Sequence, residues 1–270
     1  IIPLVLCLSS VSYGYYEAGS KENQKILDPI QGRTAVPKTQ FDAGTAYNSE
    51  KVEGTTTHKA SLDLNAAYAF KDWFSVSLLF PASMAFADNE IDFWMGDLDL
   101  DLMVRMWKAE EKLWGGFLSF GVRAVFPLSE VTEEKDDNHI RWRVDPEIRF
   151  AGATARNFCL YITQGFPIYI DDFSGDVPRN MDDPDVTASW KSLVGVGYLI
   201  ADAFGLQLEI TTELPFDKPG DNFIMYITPG FKYVITSQHI VEAYVDIAVT
   251  DTGVDQNGRI AAGAGYTFQF

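Results

Sequence analysis

The strongest constraint on the fold is a two-residue alternation of charged and apolar side chains. Between residues 97 and 108, one face carries Leu98, Leu100, Leu102, Val104 and Met106. The opposite face carries Asp97, Asp99, Asp101 and Arg105. A strand points successive side chains to opposite faces and so separates the two sets, whereas a helix would mix them. The pattern therefore predicts β-strands with one apolar and one charged face.

The same alternation divides most of the chain into twelve predicted strands. They cover residues 39–47, 57–70, 73–86, 97–108, 114–127, 140–152, 157–170, 187–201, 204–216, 223–236, 239–250 and 258–270. The segments between them are alternately short and long, as in outer-membrane barrels with tight periplasmic turns and longer external loops. We predict an all-β fold, a closed antiparallel up-and-down transmembrane β-barrel of about 12 strands, formed by residues 39–270.

Hydropathy supports a barrel over other membrane architectures. Hydrophobic residues make up 47% of the chain, yet the mean hydropathy is −0.05 because they alternate with polar ones. No interior stretch reaches the roughly 18 apolar residues that a spanning helix needs. A soluble β-sandwich could also alternate, but large aromatics on the apolar faces and many charges on the polar faces favour the barrel. The predicted location is the outer membrane of a Gram-negative cell.

The two ends of the chain carry separate predictions. Residues 1–14 are interpreted as a partial signal peptide, with a buried N-terminal strand as the alternative. Residues 15–38 show no strand pattern and could enter the lumen as a plug or stay in the periplasm. At the other end, the aromatics that alternate up to Phe270 resemble the signal read by the barrel assembly machinery, an expected partner. With Cys7 in the signal, Cys159 would be alone, so no disulfide is expected.

Net charge narrows the range of partners. The formal charge of −17 argues against nucleic acid, because binding phosphates needs clustered lysine and arginine. The lipid bilayer, cation-bridged lipopolysaccharide and a small-molecule solute are the expected partners of a monomeric barrel.

Proline recurs late in four of the predicted strands. The four pairs are Phe80-Pro81, Phe126-Pro127, Phe166-Pro167 and Leu214-Pro215. Their spacing of about one hairpin indicates repeated ββ units. Because proline removes a ladder donor, it ends pairing or marks a bulge. Simple strand termination and a constriction or lateral opening for ligands are the two interpretations.

Several short motifs resemble a known family. They are Asp72-Trp73-Phe74-Ser75-Val76, Phe80-Pro81, Met95-Gly96-Asp97-Leu98, Arg105-Met106-Trp107 and the stretch from Gly121 to Pro127. In these motifs, over about residues 57–130, the chain is similar to outer-membrane barrels of the MetA-type phenol-degradation-pathway transporter family. The resemblance implies a channel for aromatic or otherwise hydrophobic compounds. The chain has Pro127-Leu128-Ser129 where that family has Pro-Thr-Gly.

Charged side chains on the polar faces are the candidate lumen and selectivity residues. They are Asp97, Asp99, Asp101, Arg105, Arg123, Arg141, Arg143, Arg149, Glu209 and Glu213. Opposed rows of charge could orient solutes in an open lumen, as rings of charge do in channels. Alternatively, mutually paired arginines and carboxylates could fill a narrow barrel. The first interpretation predicts passive transport of small solutes, and the second predicts a closed structural or binding barrel.

The sequence does not predict catalysis or metal binding. His58, His139 and His239 are the three histidines, and no Gly-x-Ser-x-Gly elbow accompanies them. The acidic segments 130–137 and 171–185 lack the register of an EF-hand loop and are interpreted as solvated surface. We therefore predict no catalytic residue, no metal and no cofactor.

Overall fold

The computed structural model describes a protein built of antiparallel strands. The described residues are 16–17, 25–26, 29–30, 33–52, 55–87, 90–110, 114–128, 139–154, 157–173, 186–200, 203–216, 223–236, 238–250 and 260–270. No helix in these ranges is long and apolar enough to cross a membrane. The predicted signal segment 1–14 lies outside the described residues.

Twelve barrel strands follow one another around the sheet, two of them in two segments. Strands β1 to β6 are Gln40–Val52, Thr55–Lys71, Phe74–Ala87, Glu90–Met95 with Leu98–Glu110, Trp114–Phe126 and His139–Thr154. Strands β7 to β12 are Phe158–Gly165 with Ile168–Phe173, Val186–Ile200, Phe204–Pro215, Ile224–Thr236, His239–Ala248 and Ile260–Gln269. A separate pair of two-residue strands, Tyr16–Glu17 and Lys25–Ile26, precedes them.

Each barrel strand pairs antiparallel with its neighbours in sequence, and the last strand pairs with the first. The closing seam joins β12 to β1 from Gln269 opposite Gln40 to Ala261 opposite Asn48. Closure removes both sheet edges, which a membrane-spanning sheet requires because lipid cannot satisfy free backbone groups. The predicted closed barrel of twelve antiparallel strands is confirmed.

The two interrupted strands are explained by proline and glycine. Strand β4 breaks at Gly96, whose N–H donates to the carbonyl oxygen of Pro81 at 2.9 Å. A Cβ on Gly96 would lie 2.6 Å from the Pro81 ring, so only glycine fits there. Strand β7 breaks at Pro167, which cannot donate to the ladder. Pro127 follows the end of β5 and Pro215 ends β9, so strand termination holds at two of the four prolines.

The barrel wall sorts side chains as the alternation predicts. Leu208 is 44% exposed on the outer surface, whereas the next residue, Glu209, faces the interior and is completely buried. Aromatic side chains gather at both ends of the outer surface, with Trp107 and Trp114 5.7 Å apart at the turn end and Phe126 and Trp142 5.7 Å apart at the loop end. An apolar outer band between aromatic girdles is typical of transmembrane β-barrels.

The described turns are tight. Asn157, between β6 and β7, has a φ of 62°, a left-handed conformation that asparagine tolerates better than most residues. At the seam, the Phe270 N–H donates to the Thr39 carbonyl at 3.1 Å, and the Phe270 ring stands exposed at the same rim. Two of the predicted long connections, 48–56 and 87–96, are largely strand instead, because β1 runs to Val52, β2 begins at Thr55 and β4 begins at Glu90. Most of the other predicted long loops lie outside the described residues.

Candidate functional site: the barrel lumen

The centre of one lumen wall is a buried ion-pair cluster around Arg149. The Arg149 guanidinium binds both carboxylate oxygens of Asp101, at 2.8 and 2.6 Å, and Glu147 at 2.8 Å. Arg149 is only 1% exposed. Such bidentate pairs are strong and geometrically specific, so they hold β4 and β6 together across the intervening strand β5. One guanidinium thus binds two carboxylates in this cluster.

A second chain of ion pairs runs beside the first. The Arg123 Nε lies 2.5 Å from the Asp99 carboxylate, and the Arg143 Nε lies 3.1 Å from that of Asp145. Arg123 also reaches Asp145 at 3.7 Å, which links the two pairs. Arg123 therefore pairs with carboxylates of the adjacent strands β4 and β6, whereas Arg143 pairs with Asp145 of its own strand, β6. These arginines and carboxylates do not face one another across open water, as the interpretation of opposed rows required.

The remaining predicted lumen residues are spread over the length of the barrel. Arg105 pairs with Asp72 at the turn end, at 2.7 Å. Asp97 lies in the break of β4 and is half-buried. Glu213 accepts hydrogen bonds from Ser189 at 2.6 Å and Tyr169 at 3.1 Å. The Arg141 side chain falls outside the described residues. A role in selectivity for any of the ten stays a prediction.

Glycines on the inner wall create room for large side chains from the next strand. An added Cβ on Gly121 would lie 2.8 Å from the Arg149 guanidinium carbon, and one on Gly195 would overlap the Tyr161 ring. The Tyr161 hydroxyl also accepts a hydrogen bond from Gln207 at 3.0 Å. Small and large residues thus interlock, and this part of the lumen is packed like a protein core.

A segment that precedes β1 lies inside the barrel. We call its described residues, 29–30 and 33–38, the strap. On one side, Arg33 pairs with Asp99 of β4 at 2.9 Å, and the Ala35 carbonyl accepts a hydrogen bond from Ser119 of β5. These contacts fix the strap to the wall that carries the ion pairs.

The other end of the strap is held on the far side of the lumen. The Ile30 N–H donates to the Glu209 carboxylate on β9, and the Pro29 carbonyl accepts from Lys232 of β10 at 3.4 Å. The Ile30 side chain packs on Gly230, where an added Cβ would lie 2.5 Å from its Cδ1. Since β4 and β10 are six positions apart in a ring of twelve, these contacts place the strap across the lumen.

A cavity of about 280 Å³ remains beside the strap. Its wall comes mainly from β1, β2, β3, β10, β11 and β12, with Asp101 and Met103 of β4 at one border. Its charged residues are Arg33, Lys38, Lys232, Asp42, Asp63, Asp101 and Glu242. Lys232 and Glu242 pair with each other at 2.7 Å. About half of the cavity surface is polar, and the cavity is large enough for several water molecules.

Sequence reasoning missed several of these residues. Arg33 stands in a segment with no strand pattern, so nothing in the alternation marked it as a lumen residue. Asp42 lies on the polar face of β1 between the uncharged Gln40 and Gly44, and gives no conspicuous charged row. The signal that could have identified the cavity is side-chain size: the inward positions of this region include Gly44, Ala46, Ser61, Ser77, Ser83, Gly263 and Gly265.

The two histidines whose side chains the structure describes, His58 and His239, stand outside the lumen. His58 Nδ1 lies 2.7 Å from the Tyr47 hydroxyl on the outer surface, and His239 Nδ1 lies 2.5 Å from that of Tyr266 at the turn end. The His139 side chain and the acidic loop segments fall outside the described residues. Within the described part of the chain, no group of three or more potential ligands is arranged to hold a metal ion.

Comparison with known proteins places the chain by its fold. No family model and no curated protein matches the sequence. Among solved structures, the COG4313 outer membrane channel from Pseudomonas putida F1 has a TM-score of 0.60 at 14% identity, over 90% of this chain and 100% of that one. The NanC porin has a TM-score of 0.55 at 9% identity, over 85% and 100%. The chain thus shares the barrel fold of outer-membrane channels.

Proposed function

We propose that the protein is an outer-membrane channel through which small solutes pass without an energy source. The observation that carries this proposal is the polar cavity of about 280 Å³ inside a closed barrel with an apolar exterior. A closed barrel replaces the bilayer locally by a polar interior, and charged and polar groups along that interior select what passes. The fold shared with the COG4313 channel and the NanC porin supports the same conclusion.

Both the family resemblance and the cavity lining indicate which solutes the channel would carry. The resemblance to the MetA-type transporter family favours aromatic or hydrophobic compounds. The cavity lining adds a requirement, since Asp42, Asn65 and Ser77 present polar atoms to whatever enters. We propose small solutes that combine an aromatic ring with a hydrogen-bonding group.

A closed structural or binding barrel is the second candidate. The packed ion pairs around Arg149 and the strap across the lumen favour it, because both occupy space that an open pore would leave to water. The two candidates differ in whether ions cross the protein.

Single-channel recording in planar bilayers tests the proposal. The full chain is refolded in detergent, and its folding is verified by the shift in gel mobility on heating. Discrete current steps, absent when the same sample is boiled before addition, are expected for a channel. A folded barrel that stays silent over a wide range of voltage would refute the channel and favour the closed barrel.

Liposome swelling tests the solute class. Phenylalanine and glutamine are both zwitterionic amino acids, and only phenylalanine has an aromatic ring. Faster swelling with phenylalanine supports the aromatic preference. Equal rates, or faster swelling with glutamine, contradict it without affecting the channel.

The remaining expectations also stand as proposals. We propose that the barrel is a monomer in a lipopolysaccharide-containing outer membrane, and that Phe270 contributes to recognition by the barrel assembly machinery. Its ring is exposed at the turn end, 4.6 Å from that of Phe268, which makes it accessible to a partner there. Replacing Phe270 by alanine should reduce the amount of folded protein in outer-membrane fractions, while refolding in detergent is unchanged.

A further inference from the structure

The strap divides the lumen into two unequal parts. It is held by β4 and β5 at one end and by β9 and β10 at the other. On one side lie the interlocked ion pairs and Tyr161. On the other side lies the cavity, bordered by β10 to β12 and β1 to β3. A solute that crosses the barrel beside the strap has free volume on the second side.

Two of the carboxylates that line the cavity form no ion pair with a described lysine or arginine. Arg33 is paired with Asp99, Lys232 with Glu242 and Asp101 with Arg149. Among the described residues, no lysine or arginine forms an ion pair with Asp42 or Asp63, which lie on adjacent strands β1 and β2. Lys38 is buried and also lines the cavity, so the lining has four carboxylates against three cations. The cavity therefore keeps an excess of negative charge.

Buried hydrogen-bond acceptors in the cavity favour a solute that donates hydrogen bonds. The Gln40 side chain is only 8% exposed and lines the cavity, and its Oε1 atom has no hydrogen-bond donor within the described part of the protein. The Asp42 Oδ1 is also buried without a hydrogen-bond donor in the described part of the protein. The other carboxylate oxygen, Oδ2, accepts hydrogen bonds from the Gln40 and Asn65 amides at 2.6 and 2.7 Å. Buried acceptors without a donor are costly, so a solute or water that donates hydrogen bonds is favoured at this point.

We propose that the solute path runs through this cavity beside the strap, and that Asp42 and Asp63 make it selective for cations and for solutes bearing an ammonium group. This inference rests on the proposed channel function and specifies its route and its charge preference. Negative charges at a narrow polar passage favour cations, as acidic rings do in cation channels. The residues involved lie on β1 and β2, outside the set of Asp97, Asp99 and Asp101 that the alternation singled out.

The first experiment measures reversal potentials in a potassium chloride gradient. The wild-type channel should prefer potassium over chloride. The double variant Asp42→Asn with Asp63→Asn should lose much of this preference, with a severalfold fall in the permeability ratio. Asp72→Asn is the control, because it removes one negative charge from the exposed turn between β2 and β3, away from the cavity, and should leave the ratio unchanged. A double variant with wild-type selectivity, or a control with the larger effect, would overturn the proposal.

The second experiment locates the path by thiol modification. Ser77 lies on the cavity wall, and a cysteine there should react with a charged methanethiosulfonate reagent, so that the current falls. The wild type is the control, since its described cysteine, Cys159, is completely buried. A conducting Ser77→Cys variant that does not respond would exclude this route.

The outcomes distinguish failure of the channel from failure of the route and its charge preference. If the wild type conducts but neither variant behaves as stated, the route and its charge preference are wrong and the channel stands. If the folded wild type does not conduct, the channel and the route fail together. If the double variant does not fold, Ser77→Cys still decides the route, and Asp42→Asn alone decides the charge preference.

Discussion

The two halves of the barrel differ in how their inward positions are filled. The packed half, β4 to β9, carries arginines, carboxylates and tyrosines that interlock over glycines. The open half, β10 to β12 with β1 to β3, has more glycine, alanine and serine among its inward residues and borders the cavity. Both halves alternate polar and apolar side chains equally well. The comparison teaches that alternation determines which face is inside, whereas side-chain volume determines whether the inside is free.

The largest effect on stability is expected from a substitution at the centre of the packed half. Replacing Arg149 by methionine leaves Asp101 and Glu147 buried without their cation, which should cost roughly 3–5 kcal/mol of unfolding free energy. Equilibrium unfolding in guanidinium chloride, followed by tryptophan fluorescence, measures the loss.

Rescue distinguishes charge from packing at this site. The triple variant Arg149→Met, Asp101→Asn and Glu147→Gln removes the orphaned charges and should recover much of the stability. If the triple variant is as unstable as the single one, lost packing and not uncompensated charge explains the effect.

A smaller effect on stability is expected when one glycine of each half is replaced by alanine. Gly121→Ala in the packed half forces the Arg149 guanidinium to move and should destabilise the barrel by roughly 1–3 kcal/mol. Gly44→Ala in the open half meets no atom closer than 4.0 Å, so it should leave stability unchanged or raise it slightly. Equal effects of the two substitutions in the same unfolding assay would remove the distinction between the halves.

The strap should contribute a smaller amount through each of its hydrogen bonds. Ser119→Ala removes the donor to the Ala35 carbonyl inside the packed half and should cost about 0.5–1.5 kcal/mol. Ser83→Ala, an inward serine of the open half, is the control and should have almost no effect. A larger loss at Ser83 than at Ser119 would argue against a docked strap.

The smallest effect is expected at the turn-end rim, away from the Arg149 cluster and the cavity. Arg105→Gln breaks the pair with Asp72, whose side chain is 79% exposed. An ion pair this close to solvent should contribute less than about 1 kcal/mol, and that contribution should fall as salt is added. Urea unfolding at low and high sodium chloride concentration checks both points. A salt-independent loss as large as that of Arg149→Met would show that rim and interior pairs are equivalent.

The sequence predicts the architecture because the pattern is local. Leu208 and Glu209 are adjacent, and a strand must send one to each face whatever the rest of the chain does. Twelve such segments, separated by alternately short and long connections, leave a closed up-and-down barrel as the arrangement that satisfies every backbone group in lipid. The breaks at Gly96 and Pro167 could not be predicted from the sequence, because a proline within a strand indicates a disturbance but not whether pairing ends there.

The site depends on contacts that no local pattern contains. Asp101 and Arg149 are 48 residues apart in sequence, and their pairing requires Gly121 to open the space between them. The same holds for Arg33 with Asp99, and for Ile30 with Glu209, where a segment without periodicity meets the wall at a distance set by barrel closure. Rows of charge read along single strands therefore suggested opposition across the lumen, while the structure pairs these arginines with carboxylates of the same strand or of nearby strands.

What the amino-acid sequence determined by itself is the division between lipid-facing and lumen-facing side chains, because that division needs only the two-residue period of a strand. What the tertiary structure alone decided is which part of the lumen is filled. That outcome depends on the register between strands, on the glycines that admit large neighbours and on the strap between β4 and β10, all of which are relations between residues far apart in the chain.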